Sequence, residues 1–114
     1  MEFHFDMLWK TESRNKKDQQ KFWDLRACEF NSRLVSQRLT QETKQVLKFL
    51  KDKGALEKNS FVLDIGCGPG KYTLAFAKEV KWVTGTDISP KMIAFAKENA
   101  QSRGLRNIEL VQAS

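Results

Sequence analysis

The stretch VLDIGCGPG, residues 62–70, decides the fold of this chain. An apolar run ends in a carboxylate, Asp64, and three glycines follow it at alternate positions. A short continuous apolar run such as residues 61–65 is typical of a parallel strand that is buried on both faces. Because glycine has no Cβ, a glycine-rich turn lets the backbone bend sharply and approach a ligand closely. The stretch therefore predicts a buried strand followed by a ligand-binding turn.

Helix and strand patterns alternate after this turn. Helical spacing of apolar residues predicts a helix over residues 71–80, and a second strand covers residues 82–86 and ends at Asp87. Ser89 and Pro90 are a cap and a first helical residue for a helix that stops at Gly104, and residues 108–111 form a third strand. The fold class is α/β, a Rossmann-like doubly wound sheet, of which the chain has the first β-α-β-α-β half. Strand one lies at one side and strands two and three follow outward.

A long helix is predicted before the sheet, from near Asn15 or Asp18 to about Gln37. Its apolar residues follow helical spacing in two adjoining stripes, which predict a helix covered on two sides. The first stripe is Phe22, Leu25, Cys28, Val35 and Leu39, and the second is Trp23, Ala27, Phe30 and Leu34.

A second helix is predicted to begin at Thr40, a good N-cap, and to end at Gly54. The residues expected on its buried face are Val46, Leu47, Phe49 and Leu50. We therefore expect two parts: residues 1–54 as an N-terminal helical cap or lid, and residues 55–114 as the first half of the Rossmann-like domain.

Composition excludes several classes of protein. The 114 residues are 40% hydrophobic and 30% charged, which fits one globular domain or a part of one. Cys28 and Cys67 form no CxxC pair and His4 is the one histidine, so we expect no metal site, no disulfide and no Ser/His/Asp catalysis. The net charge is +6, but the basic residues are interspersed with acids. This pattern favours a solvated surface over a nucleic-acid interface. The apolar runs are too short for a membrane span, and cytoplasm is the expected location.

The spacing of the glycines and acids narrows the class of ligand. Asp87 can accept two hydrogen bonds from ribose hydroxyls, although its alternative role is a helix cap. Dinucleotide enzymes use GxGxxG, with the third glycine one position later, and Asp64 would repel a pyrophosphate. Asp64 favours a ligand with a positive centre, or it bonds locally to the turn. An NAD(P)-binding Rossmann oxidoreductase and a non-catalytic nucleotide-binding or interaction module are the alternatives.

VLDIGCGPG, followed by GTDISPKMIAFAKENA at residues 85–100, resembles the class I S-adenosylmethionine (SAM)-dependent methyltransferases. The resemblance is to the small-molecule type related to the ubiquinone/menaquinone-biosynthesis enzymes. It implies transfer of a methyl group from SAM to a small-molecule acceptor, with S-adenosylhomocysteine (SAH) as product. Asp64 and the glycine turn would face the methionine portion, Asp87 the ribose and Ile88 the adenine. The cofactor-binding residues that it implies are Asp64, Gly66, Cys67, Gly68, Gly70, Asp87, Ile88 and Met92.

Residues 22–31, FWDLRACEFN, resemble the leading helix of many such enzymes, which lies over the cofactor mouth; plain packing is the alternative for Trp23 and Phe30. The family's sheet has about seven strands, so we expect this chain to be the inactive N-terminal portion of a longer enzyme. No catalytic residue and no acceptor can be assigned. An RNA acceptor is the alternative to a small molecule, because the chain is basic. The open edge of strand one predicts self-association.

Overall fold

The computed structural model describes residues 15–36 and 41–113. Two helices precede a β-α-β-α-β unit. The elements are α1 Lys16–Ser36, α2 Gln41–Asp52, β1 Phe61–Ile65, α3 Lys71–Ala77, β2 Trp82–Asp87, α4 Pro90–Ser102 and β3 Ile108–Gln112. The order of elements confirms the predicted α/β class, although α3 ends three residues earlier than expected. None of the described helices is both long and apolar enough to cross a membrane.

The three strands form one parallel sheet in the predicted order β1-β2-β3. Leu63 of β1 pairs with Thr84 of β2, and Thr84 pairs with Glu109 of β3. Because the strands run in parallel, their carboxyl ends lie at one edge of the sheet. The glycine turn after β1 and Asp87 at the end of β2 are therefore brought to the same place.

The core lies on the face of the sheet that α3 covers. Val83 of β2 is fully buried there. Its cluster of buried residues is Leu47, Leu56, Ala75, Ala77, Val80 and Val83. The Asn107 side chain donates hydrogen bonds to the carbonyls of Ala77 and Val80, at 2.8 and 3.1 Å, and so ties the start of β3 to the end of α3.

The expectation that β1 is buried on both faces is wrong for the described part of the chain. Phe61, Leu63 and Ile65 are 72%, 61% and 79% exposed. They alternate with Val62, which packs against the core, because successive side chains of a strand point to opposite faces. The continuous apolar run thus gives one buried face and one apolar face that the described helices leave open.

The expectation that α1 is covered on two sides is also wrong. Leu25 and Val35 are 81% and 66% exposed, and Cys28 is exposed as well, whereas Ala27 is fully buried. The cause is that α1 packs on α4 and buries a narrow face there. In α2, Leu47 is buried as predicted, but Phe49 is exposed. Gln37, Leu39 and Thr40 lie outside the described residues.

Candidate functional site

A cavity of about 550 Å³ opens at the carboxyl ends of β1 and β2. The sheet and its turns supply most of the wall, and α1 supplies the rest. The lining residues from the sheet side are Ile65, Gly66, Cys67, Gly68, Pro69, Lys71, Thr86, Asp87, Ile88, Met92 and Ala113, and those from α1 are Gln19, Trp23 and Phe30. Small-molecule sites in proteins span about 300–1,000 Å³, so the cavity has the size of a ligand site.

The glycine turn is fixed to the end of β2 by its backbone. The N–H groups of Gly66 and Cys67 both donate to the carbonyl of Thr86, at 2.8 Å each. Gly66, Gly68 and Gly70 have φ angles of 74°, 57° and 104°. These values lie in the left-handed region, which glycine adopts without steric cost. The alternate glycines thus give the turn a backbone shape that most other residues would strain.

Asp87 bridges the glycine turn and the start of α4. One carboxylate oxygen accepts from the Gly68 N–H at 2.9 Å, and the other accepts from the Ser89 N–H at 3.0 Å. Ser89 itself caps α4, since its hydroxyl accepts from the Met92 N–H at 3.1 Å. A carboxylate has about four acceptor sites, so Asp87 can accept further hydrogen bonds from a ligand in the cavity. Asp87 therefore has enough acceptor sites to support the start of α4 and to bind ribose hydroxyls at the same time.

Asp64 is not among the residues that line the cavity. Its carboxylate accepts a hydrogen bond of 2.6 Å from the Thr73 hydroxyl at the start of α3. Burial raises the pKa of Asp64, and the nearby negative charge of Asp87 raises it further, against the lowering effect of the Thr73 bond. Two acids that repel one another next to a cavity favour a ligand with a positive centre.

Cys67 lies near both of these acids and lines the cavity. Burial raises the pKa of its thiol to about 12, and Asp87 and Asp64 add to the increase. Because the thiolate is the reactive form, we expect this thiol to react slowly at neutral pH. Cys67 therefore acts as a small wall residue.

Gly85 and Thr73 are site residues that the sequence patterns missed. A Cβ on Gly85 would lie 2.9 Å from Leu110, 3.1 Å from the Thr73 hydroxyl and 3.2 Å from Cys67. The absence of a side chain at Gly85 thus allows α3 and the glycine turn to sit directly on β2. A lone glycine inside a predicted strand is the signal that indicates such a close approach.

The α1 wall is aromatic. Trp23 and Phe30 lie with ring centroids 6.1 Å apart in an edge-to-face arrangement. They are 36% and 38% exposed, so neither is a fully buried core residue. Asp24, next to Trp23, accepts a hydrogen bond from the Ser89 hydroxyl and a longer one from the Lys91 N–H at 3.3 Å. These bonds attach α1 to the start of α4, beside the cavity.

The structure brings most of the predicted residues to one place. Those that line the cavity are Gly66, Cys67, Gly68, Asp87, Ile88 and Met92, while Asp64 and Gly70 do not. Gly70 precedes α3 and lies close to Leu74, where an added Cβ would stand 3.3 Å from that side chain. Met92 is almost fully buried and also reaches the wall. Among the described residues, no group of three His, Cys, Asp or Glu side chains could hold a metal ion.

Comparison with known protein families gives a match over the glycine turn and the sheet. Residues 62–114 match a family model described as a methyltransferase domain. The chain is 40% identical over 60 residues to the human tRNA (uracil-5-)-methyltransferase homolog A, a match that covers 53% of this chain and 10% of that protein.

A second curated relative matches at the same identity. The chain is 40% identical over 63 residues to a probable cobalt-precorrin-6B C(15)-methyltransferase (decarboxylating) of Methanobrevibacter smithii. That match covers 54% of this chain and 34% of the relative. The chain therefore spans about a third or less of the length of these two curated relatives.

Among solved structures, the DhpI-SAM-HEP complex has the same fold over most of the chain. Its TM-score is 0.59 at 26% identity, and the match covers 84% of this chain and 41% of DhpI. Because the match covers more than four fifths of the chain, it extends beyond the residues that the family model matches.

Proposed function

We propose that this chain, whose residues 62–114 belong to the class I SAM-dependent methyltransferases, binds SAM as the cofactor-binding part of a methyltransferase. The observation that carries the proposal is the junction of the glycine turn with Asp87, where the Gly68 N–H donates to the Asp87 carboxylate beside a cavity of about 550 Å³. The DhpI-SAM-HEP complex, which shares the fold, supports the choice of SAM over other nucleotides.

The residues present fit this cofactor. The cavity has room for a molecule of that class, and its walls are mainly apolar or aromatic with one carboxylate, as in other small-molecule sites. Asp87 retains free acceptor sites that suit two ribose hydroxyls. Asp64 and Asp87 provide negative charge near a group that carries a positive sulfonium and an amino group.

We assign the roles as follows. Asp87 would accept hydrogen bonds from the ribose, and Ile88 and Met92 would line the adenine. Gly66, Cys67 and Gly68 would form the wall beside the methionine portion. Gly70 would set the start of α3, and Asp64 would act from behind the turn through its charge. When bound, SAM supplies an activated methyl group for in-line displacement, and the protein supplies position and electrostatics.

The methyl acceptor is proposed to be a small molecule. The match to the cobalt-precorrin-6B methyltransferase supports this choice, whereas the match to the tRNA (uracil-5-)-methyltransferase favours RNA. Salt dependence separates the two, because protein contacts to nucleic-acid phosphates weaken steeply as salt rises. Filter binding measures the affinity for tRNA at about 50 and 200 mM salt. We expect no salt-sensitive binding of tRNA, whereas an affinity that falls steeply between these two concentrations would indicate an RNA acceptor.

Self-association is part of the same proposal. The outer edge of β1 is unpaired in the described sheet, and Phe61, Leu63 and Ile65 form an exposed apolar row beside it. Such an edge is a template for pairing with another chain, here a second copy. Sedimentation at several concentrations should show association, and a clean monomer would contradict it.

The proposed location is the cytoplasm. Free thiols at Cys28 and Cys67 support a location in the reducing cytoplasm.

Residues 1–54 are proposed to be a helical cap. The support is that Trp23 and Phe30 of α1 line the cavity.

Equilibrium dialysis of the whole chain against labelled SAM, with SAH and NAD as competitors, tests the proposal that the chain binds SAM. SAH should displace the label and NAD should not. Displacement by NAD and not by SAH would favour the oxidoreductase alternative.

A further inference from the structure

Polar contacts join α1 to α4 at two places. At one end, Asp24 accepts from the Ser89 hydroxyl, and at the other end Asn31 contacts Asn99. Asp24 and Asn31 are seven residues apart, which is two helical turns, so both lie on one face of α1. Fully buried Ala27 lies between them. The face of α1 that packs on α4 is therefore narrow and has a hydrogen-bonded anchor near each end.

Asn99 uses its side-chain nitrogen to reach two elements at once. It is 9% exposed, and Nδ2 donates to Oδ1 of Asn31 at 2.8 Å and to the carbonyl of Pro69 at 2.9 Å. Since the Pro69 carbonyl can only accept, the atom that faces it must be the amide nitrogen, and the atom of Asn31 that faces the same nitrogen must be oxygen. Both N–H donors of the Asn99 amide are thereby used.

Pro69 lies in the glycine turn, between two glycines with left-handed backbones. The turn forms one wall of the cavity, and α1 forms another through Trp23 and Phe30. Phe30 is the neighbour of Asn31 along the chain. A single buried amide on α4 is therefore bonded to both elements that supply these walls, to Pro69 in the turn and to Asn31 on α1.

We propose that Asn99 is a positioning residue that couples α1 to the glycine turn, so that docking of α1 and binding of the cofactor stabilise each other. This inference rests on the proposed function for the identity of the ligand, but its bonds exist in the protein alone. If the ligand favours the turn geometry that Pro69 has when bonded, it also favours the bonded position of α1. The coupling is reciprocal. The factor by which the bound ligand strengthens docking of α1 is also the factor by which loss of α1 docking weakens ligand binding.

The test removes the α1 end of the junction and observes the turn. Asn31→Ala deletes the acceptor on α1, and alanine favours the helix, so the chain should still fold. Asn31→Asp keeps an acceptor oxygen and is the conservative variant. Ser32→Ala, at the exposed neighbouring position, is the matched control. The readout is residue-resolved amide hydrogen exchange at Gly68 and Gly70, which flank Pro69.

Without ligand, Asn31→Ala should raise exchange at the Gly68 and Gly70 amides by roughly fivefold, the effect of one lost hydrogen bond. Asn31→Asp and Ser32→Ala should leave it close to the wild-type rate. If Asn31→Ala changes exchange in α1 alone and leaves both glycine amides unchanged, the coupling does not exist.

With SAH, wild-type α1 should exchange more slowly, and this protection should shrink in Asn31→Ala while the glycine amides stay protected. Equal protection of α1 in both proteins would also overturn the coupling. An absence of any SAH effect on the wild-type protein would instead contradict the proposed function, and the ligand-free comparison would still decide the role of Asn99.

Discussion

The backbone N–H of Gly68 donates a hydrogen bond of 2.9 Å to the carboxylate of Asp87. The two residues are 19 positions apart, and the bond joins the turn after β1 to the end of β2. A hydrogen bond to a charged group contributes about 1.5–3 kcal/mol, so this contact fixes the turn more firmly than a neutral one would. The same carboxylate faces the cavity, which makes Asp87 both a structural and a proposed ligand-binding group.

Asp87→Asn should weaken SAH binding by about 10- to 100-fold. The amide has one acceptor oxygen, so it cannot hold both the Gly68 and Ser89 N–H groups and also accept from the ribose. The measurement is the SAH dissociation constant. Asp52→Asn, which removes the exposed Lys48–Asp52 ion pair on α2, is the control and should leave the constant unchanged. Equal affinities for the two variants would contradict the role of Asp87.

Gly85→Ala should lower the free energy of unfolding by about 1–3 kcal/mol, the usual cost of overpacking. The new Cβ would come within 2.9 Å of the Leu110 side chain and would push α3 and the turn away from β2. Thr84→Ala, one residue earlier and on the open face of the sheet, should cost less. Urea unfolding of both variants measures the difference, and a stabilising Gly85→Ala would show that the close approach is absent.

The Cys67 thiol should be unreactive in the folded chain. Because its pKa is raised to about 12, alkylation at pH 8 in Cys28→Ser should be slower than in urea by on the order of 100-fold or more. Mass spectrometry of iodoacetamide-treated protein over time measures this rate. Rapid native labelling of Cys67 would contradict the buried, acid-flanked environment.

Asp64 should make stability depend on pH. Its pKa is raised by burial, and by Asp87, above the ordinary value of 3.8. The folded state therefore holds this proton more tightly than the unfolded state. The resulting stabilisation is fully present below about pH 3.8 and is lost as pH rises through the raised pKa.

The measurement is the free energy of unfolding of the wild type minus that of Asp64→Asn, from acid to neutral pH. Asparagine does not titrate but retains an acceptor for Thr73. The difference should fall as pH rises. Thr73→Val removes the hydrogen bond that lowers this pKa, so the fall should move to higher pH. A difference that stays flat with pH would contradict the raised pKa.

The sequence predicts the β-α-β-α-β order and most of the cavity wall, because glycine turns, caps and apolar runs are local signals. It does not predict which apolar residues stay exposed. Leu25 and Phe61 have the pattern of buried residues, yet their burial depends on which elements pack beside them. The contact between Asn99 and Pro69 joins residues 30 positions apart through a polar side chain, and no periodicity indicates such a bond.

The glycine turn and Asp87 are proposed to hold SAM rather than a dinucleotide. Calorimetric titration of the whole chain with SAH, and separately with NAD, tests it most directly. We expect saturable binding of one SAH per chain and no binding of NAD. Binding of NAD by a folded chain that does not bind SAH would contradict it.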